Sequence, residues 1–176
     1  EQGIWEVYAK GDSSRSYELA IETPPTRISA AKDAARYLIA LMGDSDQLAL
    51  GSFADTATLG KQLTLLDTKE NRDSISSTVD SLIPIGGTAM GDGINMANQE
   101  LSSARHRSDA NKAIILFTDG VWNVGSDPIQ RANEAKSANI EIYTIGFGRV
   151  DHATLLKIAQ TTGGQYLYSP STADLR

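Results

Sequence analysis

The sequence predicts an α/β fold in which a mostly parallel sheet is covered by helices on both faces. Along the 176-residue chain, segments with apolar residues at helical spacing alternate with short apolar segments, which is typical of βα units. One short segment, residues 113–117, is an unbroken apolar run of the kind found in strands buried on both faces. Parallel strands need crossover connections, so helices are expected on both sides of the sheet.

The helices are predicted from apolar periodicity and from residues that begin or end helices. Thr26 is the expected N-cap of the first helix, and Asp127 precedes Pro128 in the pattern of a capped helix start. Gly163-Gly164 ends the last helix. The predicted helices cover residues 28–42, 72–82, 90–105, 128–138 and 152–161.

The strands are predicted from short runs rich in β-branched, aromatic and other apolar residues. Each lies next to a predicted helix or turn, and no linker, repeat or low-complexity segment separates them. The predicted strands cover residues 47–53, 59–66, 113–117, 140–146 and 165–168. We therefore expect one domain over residues 1–176.

Composition argues against several classes of protein. The net charge of −6 disfavours nucleic acid as a partner, because phosphate binding depends on Lys and Arg. No apolar run reaches the ~18 residues of a membrane span. The chain has no cysteine, so neither disulfides nor a thiolate zinc site are expected. Residue 1 is Glu rather than Met, and a processed or excised piece of a longer protein is expected.

Common enzyme motifs are mostly absent. Gly86 to Gly91 has the glycine spacing of a phosphate loop, but Asp92-Gly93 stands where Lys and Ser or Thr are required. No Gly-x-Ser-x-Gly elbow occurs, and no nucleophile is paired with a base. The chain is therefore expected not to be an enzyme.

Hydroxyl and carboxylate side chains near predicted strand ends are candidate ligands for a metal ion. Asp12-Ser13-Ser14-Arg15-Ser16 is an Asp-x-Ser-x-Ser motif, Thr88 follows two glycines, and Asp119 follows the apolar strand. Oxygen ligands of this kind suit a hard cation such as Mg²⁺. Neutral hydroxyls leave such a cation able to attract a carboxylate from another molecule. For Asp119 alone, an equally good interpretation is that Asp-Gly simply forms the following turn.

Four segments together resemble the von Willebrand factor type A domain family, including its bacterial and archaeal members and the calcium-activated chloride channel regulators. The resemblance covers residues 26–175. The segments are Gly86 to Ile94, Phe117 to Gly120 with Asn123, Ile142 to Gly148, and Leu155 to Ala159 followed by Gly163 to Tyr166.

The resemblance implies a three-layer, doubly wound, mostly parallel sheet of six strands with one antiparallel edge strand. It also implies a metal-ion-dependent adhesion site that binds Mg²⁺, or else Mn²⁺ or Ca²⁺, and an Asp or Glu carboxylate of a protein partner. Trp122 would lie on the rim of this binding face as a contact residue; an equally good interpretation is that its ring simply covers the loop. The implied metal-site residues are Asp12, Ser14, Ser16, Thr88 and Asp119.

Residues 1–25 fit this pattern less well than residues 26–176, and three interpretations remain open. Asp12, Ser14 and Ser16 match the metal motif. In the second interpretation, alternating apolar residues on either side of residues 10–16 form a β-hairpin, with the serines in its turn. In the third, Tyr17 to Ile21 is the first strand, and Glu22 to Thr26 is a degenerate metal motif.

These alternatives define two functions. With an intact site, the domain is an adhesion module; with a degenerate site, it is a metal-free structural or assembly module of a larger surface protein. We expect an extracellular or cell-surface location, although the composition is also compatible with the cytoplasm.

Overall fold

The computed structural model describes residues 27–84 and 86–169. Helices and strands alternate through this part of the chain, as the periodicity predicts. The helices are α1 (Arg27–Leu41), α2 (Lys69–Asp80), α3 (Met90–Leu101), α4 (Pro128–Ser137) and α5 (His152–Thr162). The strands are β1 (Gln47–Phe53), β2 (Ala57–Leu65), β3 (Lys112–Thr118), β4 (Ile140–Phe147) and β5 (Tyr166–Ser169).

Strands β3, β4 and β5 form a parallel sheet in that order. α4 connects the first two strands and α5 connects the last two, so each crossover is a helix. Helices α3, α4 and α5 bury their apolar faces against this sheet. The core contains Met90, Ile94, Leu116, Ile142, Leu155 and Ile158. The carboxyl ends of the three strands therefore lie at one edge.

Strands β1 and β2 form an antiparallel hairpin. A second, smaller core lies beside it, where α1 and α2 meet the hairpin, and consists of Ile39, Leu66, Ile75 and Val79. The turn of this hairpin, residues 54–56, reaches the loop in front of α3, since Ala89 N donates to Ala54 O at 2.8 Å.

The α/β class is confirmed, but the described strands form two groups rather than one sheet of six. In residues 27–84 and 86–169, β3 pairs with β4 alone, and the hairpin is a separate two-stranded sheet. The remaining predicted strand falls in residues 1–26, outside the described residues.

Within the described part of the chain, strand β3 is more deeply buried on one face than on the other, whereas the sequence predicts burial on both. Ile114 and Leu116 are 8% and 5% exposed, whereas Ile115 is 39% exposed. The face carrying Ile115 looks across an open groove of about 310 Å³ toward Leu38 and Leu41 of α1. α1 therefore covers that face incompletely.

Helix ends follow local hydrogen bonds that periodicity does not reveal. α2 begins at Lys69, before the predicted residue 72, because the Thr68 side chain caps it by accepting from Asn71 N at 3.2 Å. α3 ends at Leu101 rather than residue 105. Asp127 caps α4 as predicted, and Gly163 ends α5 with a left-handed φ of 88°.

Candidate functional site

Asp119 is the first residue beyond the carboxyl end of β3. The chain turns immediately after it, since Gly120 N donates to Thr118 Oγ1 at 3.3 Å. The Asp119 side chain is 48% exposed. This edge of a parallel sheet is where ligands bind in open α/β folds, and the turn leaves the carboxylate facing solvent there.

Thr88 lies directly against this turn. A Cβ atom placed on Gly120 would stand 2.7 Å from Thr88 Oγ1, so the threonine hydroxyl touches the backbone next to Asp119. Its hydroxyl makes no hydrogen bond to the described residues. The structure therefore brings Thr88 close to the turn at Asp119. These are the two predicted metal-site residues that it describes, and Gly120 permits the approach because it has no side chain.

The loop that carries Thr88 is fixed from two sides. Asp55, in the β1–β2 turn, accepts from Gly87 N through Oδ1 at 2.7 Å. Asn123 accepts from Thr88 N through Oδ1 at 2.9 Å. Two side chains from separate loops therefore hold the backbone of residues 87 and 88, which orients the threonine hydroxyl.

Asp92 is hydrogen-bonded to Ser126, in the loop that follows Asp119. It lies in the first turn of α3, where it does not cap the helix but accepts from Ser126 N at 3.0 Å and from Ser126 Oγ at 2.6 Å. These two hydrogen bonds lower the pKa of Asp92 below its ordinary value. Gly125 has a φ of +80°, and a Cβ there would stand 2.4 Å from Asp92 Oδ2. Asp92 therefore fastens the loop after Asp119 to α3.

The positive charge at the site comes from Arg27, the first residue of α1. Its Nη1 lies 3.5 Å from Asp119 Oδ2, and this is the only side-chain ion pair or hydrogen bond of Asp119 with the described residues. The guanidinium also lies against Gly148, just beyond β4, where a Cβ would be 3.3 Å from Cζ.

Trp122 lies in the same loop as Asp119 and is 39% exposed. Its indole Nε1 donates to Val124 O at 2.9 Å, so part of the ring is held against its own loop. Val121 and Val124, at 48% and 39% exposure, flank it. Together these three residues form an apolar rim beside the polar site.

The donor atoms fit a hard divalent cation. No cluster of three His, Cys, Asp or Glu side chains suited to a metal occurs in residues 27–84 and 86–169. The described residues instead supply a hydroxyl and a half-exposed carboxylate at one edge, which are oxygen ligands that Mg²⁺ accepts. Asp12, Ser14 and Ser16, the other predicted ligands, lie outside the described residues.

Sequence reasoning missed Arg27 and Asp55 as parts of this site. Asp55 reads as an ordinary turn residue, and nothing local shows that its carboxylate reaches another loop. Arg27 carries no local signal either, because its contact with Asp119 joins residues 92 apart in the chain.

Comparisons with known proteins agree with this architecture. The profile of the von Willebrand factor type A domain matches residues 12–176. A UPF0353 protein of Mycolicibacterium paratuberculosis is 30% identical over 88% of this chain and 52% of its own length. Human calcium-activated chloride channel regulator 4 is 24% identical over 81% of this chain and 15% of its own. The chain thus spans about half the length of the UPF0353 relatives it matches.

Two solved structures illustrate the shared fold. A von Willebrand factor type A protein from Catenulispora acidiphila superimposes with a TM-score of 0.76 and 26% identity, covering 84% of this chain and 35% of that one. Proximal thread matrix protein 1 from the mussel byssus, solved with a zinc-occupied MIDAS motif, has a TM-score of 0.72 and 21% identity, covering 85% and 40%. No helix in the described residues has the length and apolar character needed to cross a membrane.

Proposed function

This chain belongs to the von Willebrand factor type A domain family, and we propose that it is a protein-binding module in which Thr88 and Asp119 help to hold a divalent cation. Domains of this family are generally interaction modules rather than enzymes. The observation that carries the proposal is the contact of the Thr88 hydroxyl with the turn at Asp119, where a Cβ on Gly120 would be 2.7 Å from Thr88 Oγ1.

The proposed site is completed by the N-terminal motif. Ser14, Ser16 and Thr88 would ligate the cation directly, while Asp12 and Asp119 would act through water or orient the hydroxyls. When bound, Mg²⁺, Mn²⁺ or Ca²⁺ would offer a coordination position to an Asp or Glu carboxylate of the partner. The mussel protein with zinc in its MIDAS motif shares the fold, which is compatible with this proposal.

Calorimetric titration of the metal-free protein with Mn²⁺ tests the described half of the site. Thr88→Val removes the hydroxyl at nearly constant volume and should weaken binding by about 10- to 100-fold, whereas Thr88→Ser should retain it. Asp119→Asn should also weaken binding strongly. Asp109→Asn is the matched control, because Asp109 precedes β3 at its opposite end and pairs with Arg107 at 2.7 Å.

The same titration distinguishes the N-terminal alternatives. If Asp12 belongs to the site, Asp12→Asn weakens Mn²⁺ binding and Glu22→Gln leaves it unchanged. The reverse pattern would assign the site to residues 22–26. Binding that survives both changes, or that Asp119→Asn leaves intact, would contradict the proposed ligand set.

A short acidic peptide provides the test of partner chemistry. With Mn²⁺ present, a peptide containing Asp should bind, and the same peptide with Asn in place of Asp should not. Chelation should release the first peptide. Equal binding of both peptides would argue against carboxylate recognition. We place this interaction at a cell surface or outside the cell, within a larger protein.

A metal-free interaction module is the second candidate, and the position of Arg27 favours it. The guanidinium already supplies a positive charge 3.5 Å from the Asp119 carboxylate. If neither the native protein nor its Thr88→Ser variant binds Mn²⁺, this candidate replaces the metal-dependent one.

A further inference from the structure

We propose that Arg27 is a resident counter-ion of the site, which pairs with Asp119 in the metal-free protein and sets the concentration at which a divalent cation binds. The proposal rests on the proposed function in one respect: the site must be able to accept a divalent cation. It goes further by assigning a role to a residue outside the ligand set.

The position of the guanidinium is the first argument. Arg27 Nη1 lies 3.5 Å from Asp119 Oδ2, with the two side chains 57% and 48% exposed. On its other side the guanidinium lies 3.3 Å from the position of a Cβ on Gly148. A side chain at residue 148 would crowd the guanidinium, and Gly148, whose φ is +72°, leaves it room.

The charge partners of Arg27 are the second argument. Arg27 lies in the first described turn of α1, which contains no acidic residue. Among the described residues, Asp119 is the only carboxylate within ion-pair distance of its guanidinium. The pairing is therefore specific to the site and is not shared with a neighbour on the same helix.

The length of the contact explains why a metal could displace the arginine. Charge-assisted hydrogen bonds are commonly about 2.7–2.9 Å long, and the pair at 3.5 Å is looser. Exposed ion pairs of this kind are weak. A divalent ion that also binds the Thr88 hydroxyl would compete successfully, while the like charge of the guanidinium would raise the metal concentration required.

The test is Mn²⁺ titration of the full chain by calorimetry, comparing Arg27→Gln with the native protein. We expect Arg27→Gln to bind Mn²⁺ about five- to tenfold more tightly, since a neighbouring positive charge is removed. Arg27→Lys keeps the charge and should stay close to the native affinity. Circular dichroism establishes that each variant is folded.

Arg36→Gln is the matched control, because it makes the same charge change on the same helix. Arg36 pairs with Asp33 and Asp80 and lies nine residues further along α1, about 13 Å along the axis. Its Mn²⁺ affinity should equal that of the native protein. If both variants bind more tightly to the same degree, net charge explains the effect and the proposal is overturned.

The remaining outcomes separate the two proposals. Equal affinity of Arg27→Gln and the native protein, with binding lost in Asp119→Asn, would overturn the role of Arg27 and leave the metal site standing. If Arg27→Gln binds Mn²⁺ and the native protein does not, the role of Arg27 is supported and the metal dependence of the native protein is overturned. No binding by any variant would overturn both.

Discussion

At the scale of single residues, the site depends on side chains that are not ligands themselves. In the proposed site, the loop that carries Thr88 is held by hydrogen bonds, and Asp55 contributes one of them by accepting from Gly87 N at 2.7 Å. Asn123 supplies the second contact, to Thr88 N. Asp55 is thus a positioning residue for Thr88.

Replacing Asp55 should loosen this loop without touching a ligand. Asp55→Ala removes the acceptor, so we expect faster hydrogen exchange at the Gly87 amide and a loss of about 1 kcal/mol in the free energy of unfolding. Asp55→Asn keeps an acceptor oxygen and should protect the amide nearly as well. Amide exchange followed by NMR provides the measurement, and equal exchange in the native protein and Asp55→Ala would show that Asp55 does not hold the loop.

The difference between predicted and missed residues has a physical origin. Asp119 is singled out because it follows an apolar strand, and Thr88 because it follows two glycines in a segment that resembles the family; their metal-binding role stays a prediction. The roles of Asp55 and Arg27 depend on contacts across 32 and 92 residues of chain. Periodicity and turn chemistry depend on residues that are close in sequence, so they do not predict contacts between distant loops.

At the scale of elements, α3 is anchored at both ends by carboxylates. Near its start, Asp92 holds the loop after Asp119 through Ser126. Near its end, Glu100 is 4% exposed and accepts from Leu63 N of β2 at 2.7 Å. Arg105 donates to the same carboxylate at 2.8 and 2.6 Å. The helix that follows Thr88 is thereby tied to the hairpin.

Glu100 is expected to be one of the more sensitive polar positions. Glu100→Ala leaves Leu63 N and the Arg105 guanidinium without their acceptor, and should lower the free energy of unfolding by about 2–3 kcal/mol. Glu100→Gln keeps one acceptor and should cost less. Urea unfolding measures both.

Glu134→Ala is the control for Glu100. Glu134 pairs with Arg131 at 2.9 Å, but its side chain is 42% exposed, so its removal should change stability by less than about 1 kcal/mol. Equal effects of Glu100→Ala and Glu134→Ala would contradict an anchoring role for Glu100.

The Glu100 interaction also explains why the end of α3 was misplaced. Residues 90–105 continue to look helical in sequence, but Arg105 turns back to reach Glu100, and the helix ends at Leu101. The start of α4 was predicted correctly because Asp127 and Pro128 act locally. A cap therefore makes a helix start predictable where its sequence signal is strong, as at Asp127-Pro128, but periodicity does not reveal the Thr68 cap of α2.

At the scale of the whole molecule, the α/β class follows from the alternation of elements, but the arrangement of strands does not. The order β3-β4-β5 agrees with consecutive βα units. Among the described strands the β1–β2 hairpin does not pair with this sheet, and the pattern of a strand does not state which strand it pairs with. The predicted strand in residues 1–26 lies outside the described residues.

Charge interactions distributed over the molecule make its stability dependent on pH. Hydrogen bonds to the ionised form lower the pKa of four described carboxylates below their ordinary values, namely Asp92, Glu100, Asp109 and Asp151. The unfolded chain then binds protons more readily than the folded one as the solution is acidified. The stability that these groups contribute is present above their unfolded pKa and is lost as pH falls through their folded pKa.

Asp151 allows one such contribution to be isolated. It caps α5 by accepting from Ala153 N at 3.0 Å, from Thr154 N at 3.1 Å and from Thr154 Oγ1 at 2.7 Å. The two hydrogen bonds from Thr154 are the main cause of its lowered pKa.

Asp151→Asn preserves an N-cap but removes the titrating group. At neutral pH the variant should be less stable by about 0.5–1 kcal/mol, and the difference should vanish between about pH 5 and pH 2. Urea unfolding across this range gives the difference directly, with Asp151→Ala as the control that lacks a cap at every pH. A difference between the native protein and Asp151→Asn that stays constant with pH would mean that the ionised carboxylate adds nothing beyond the cap.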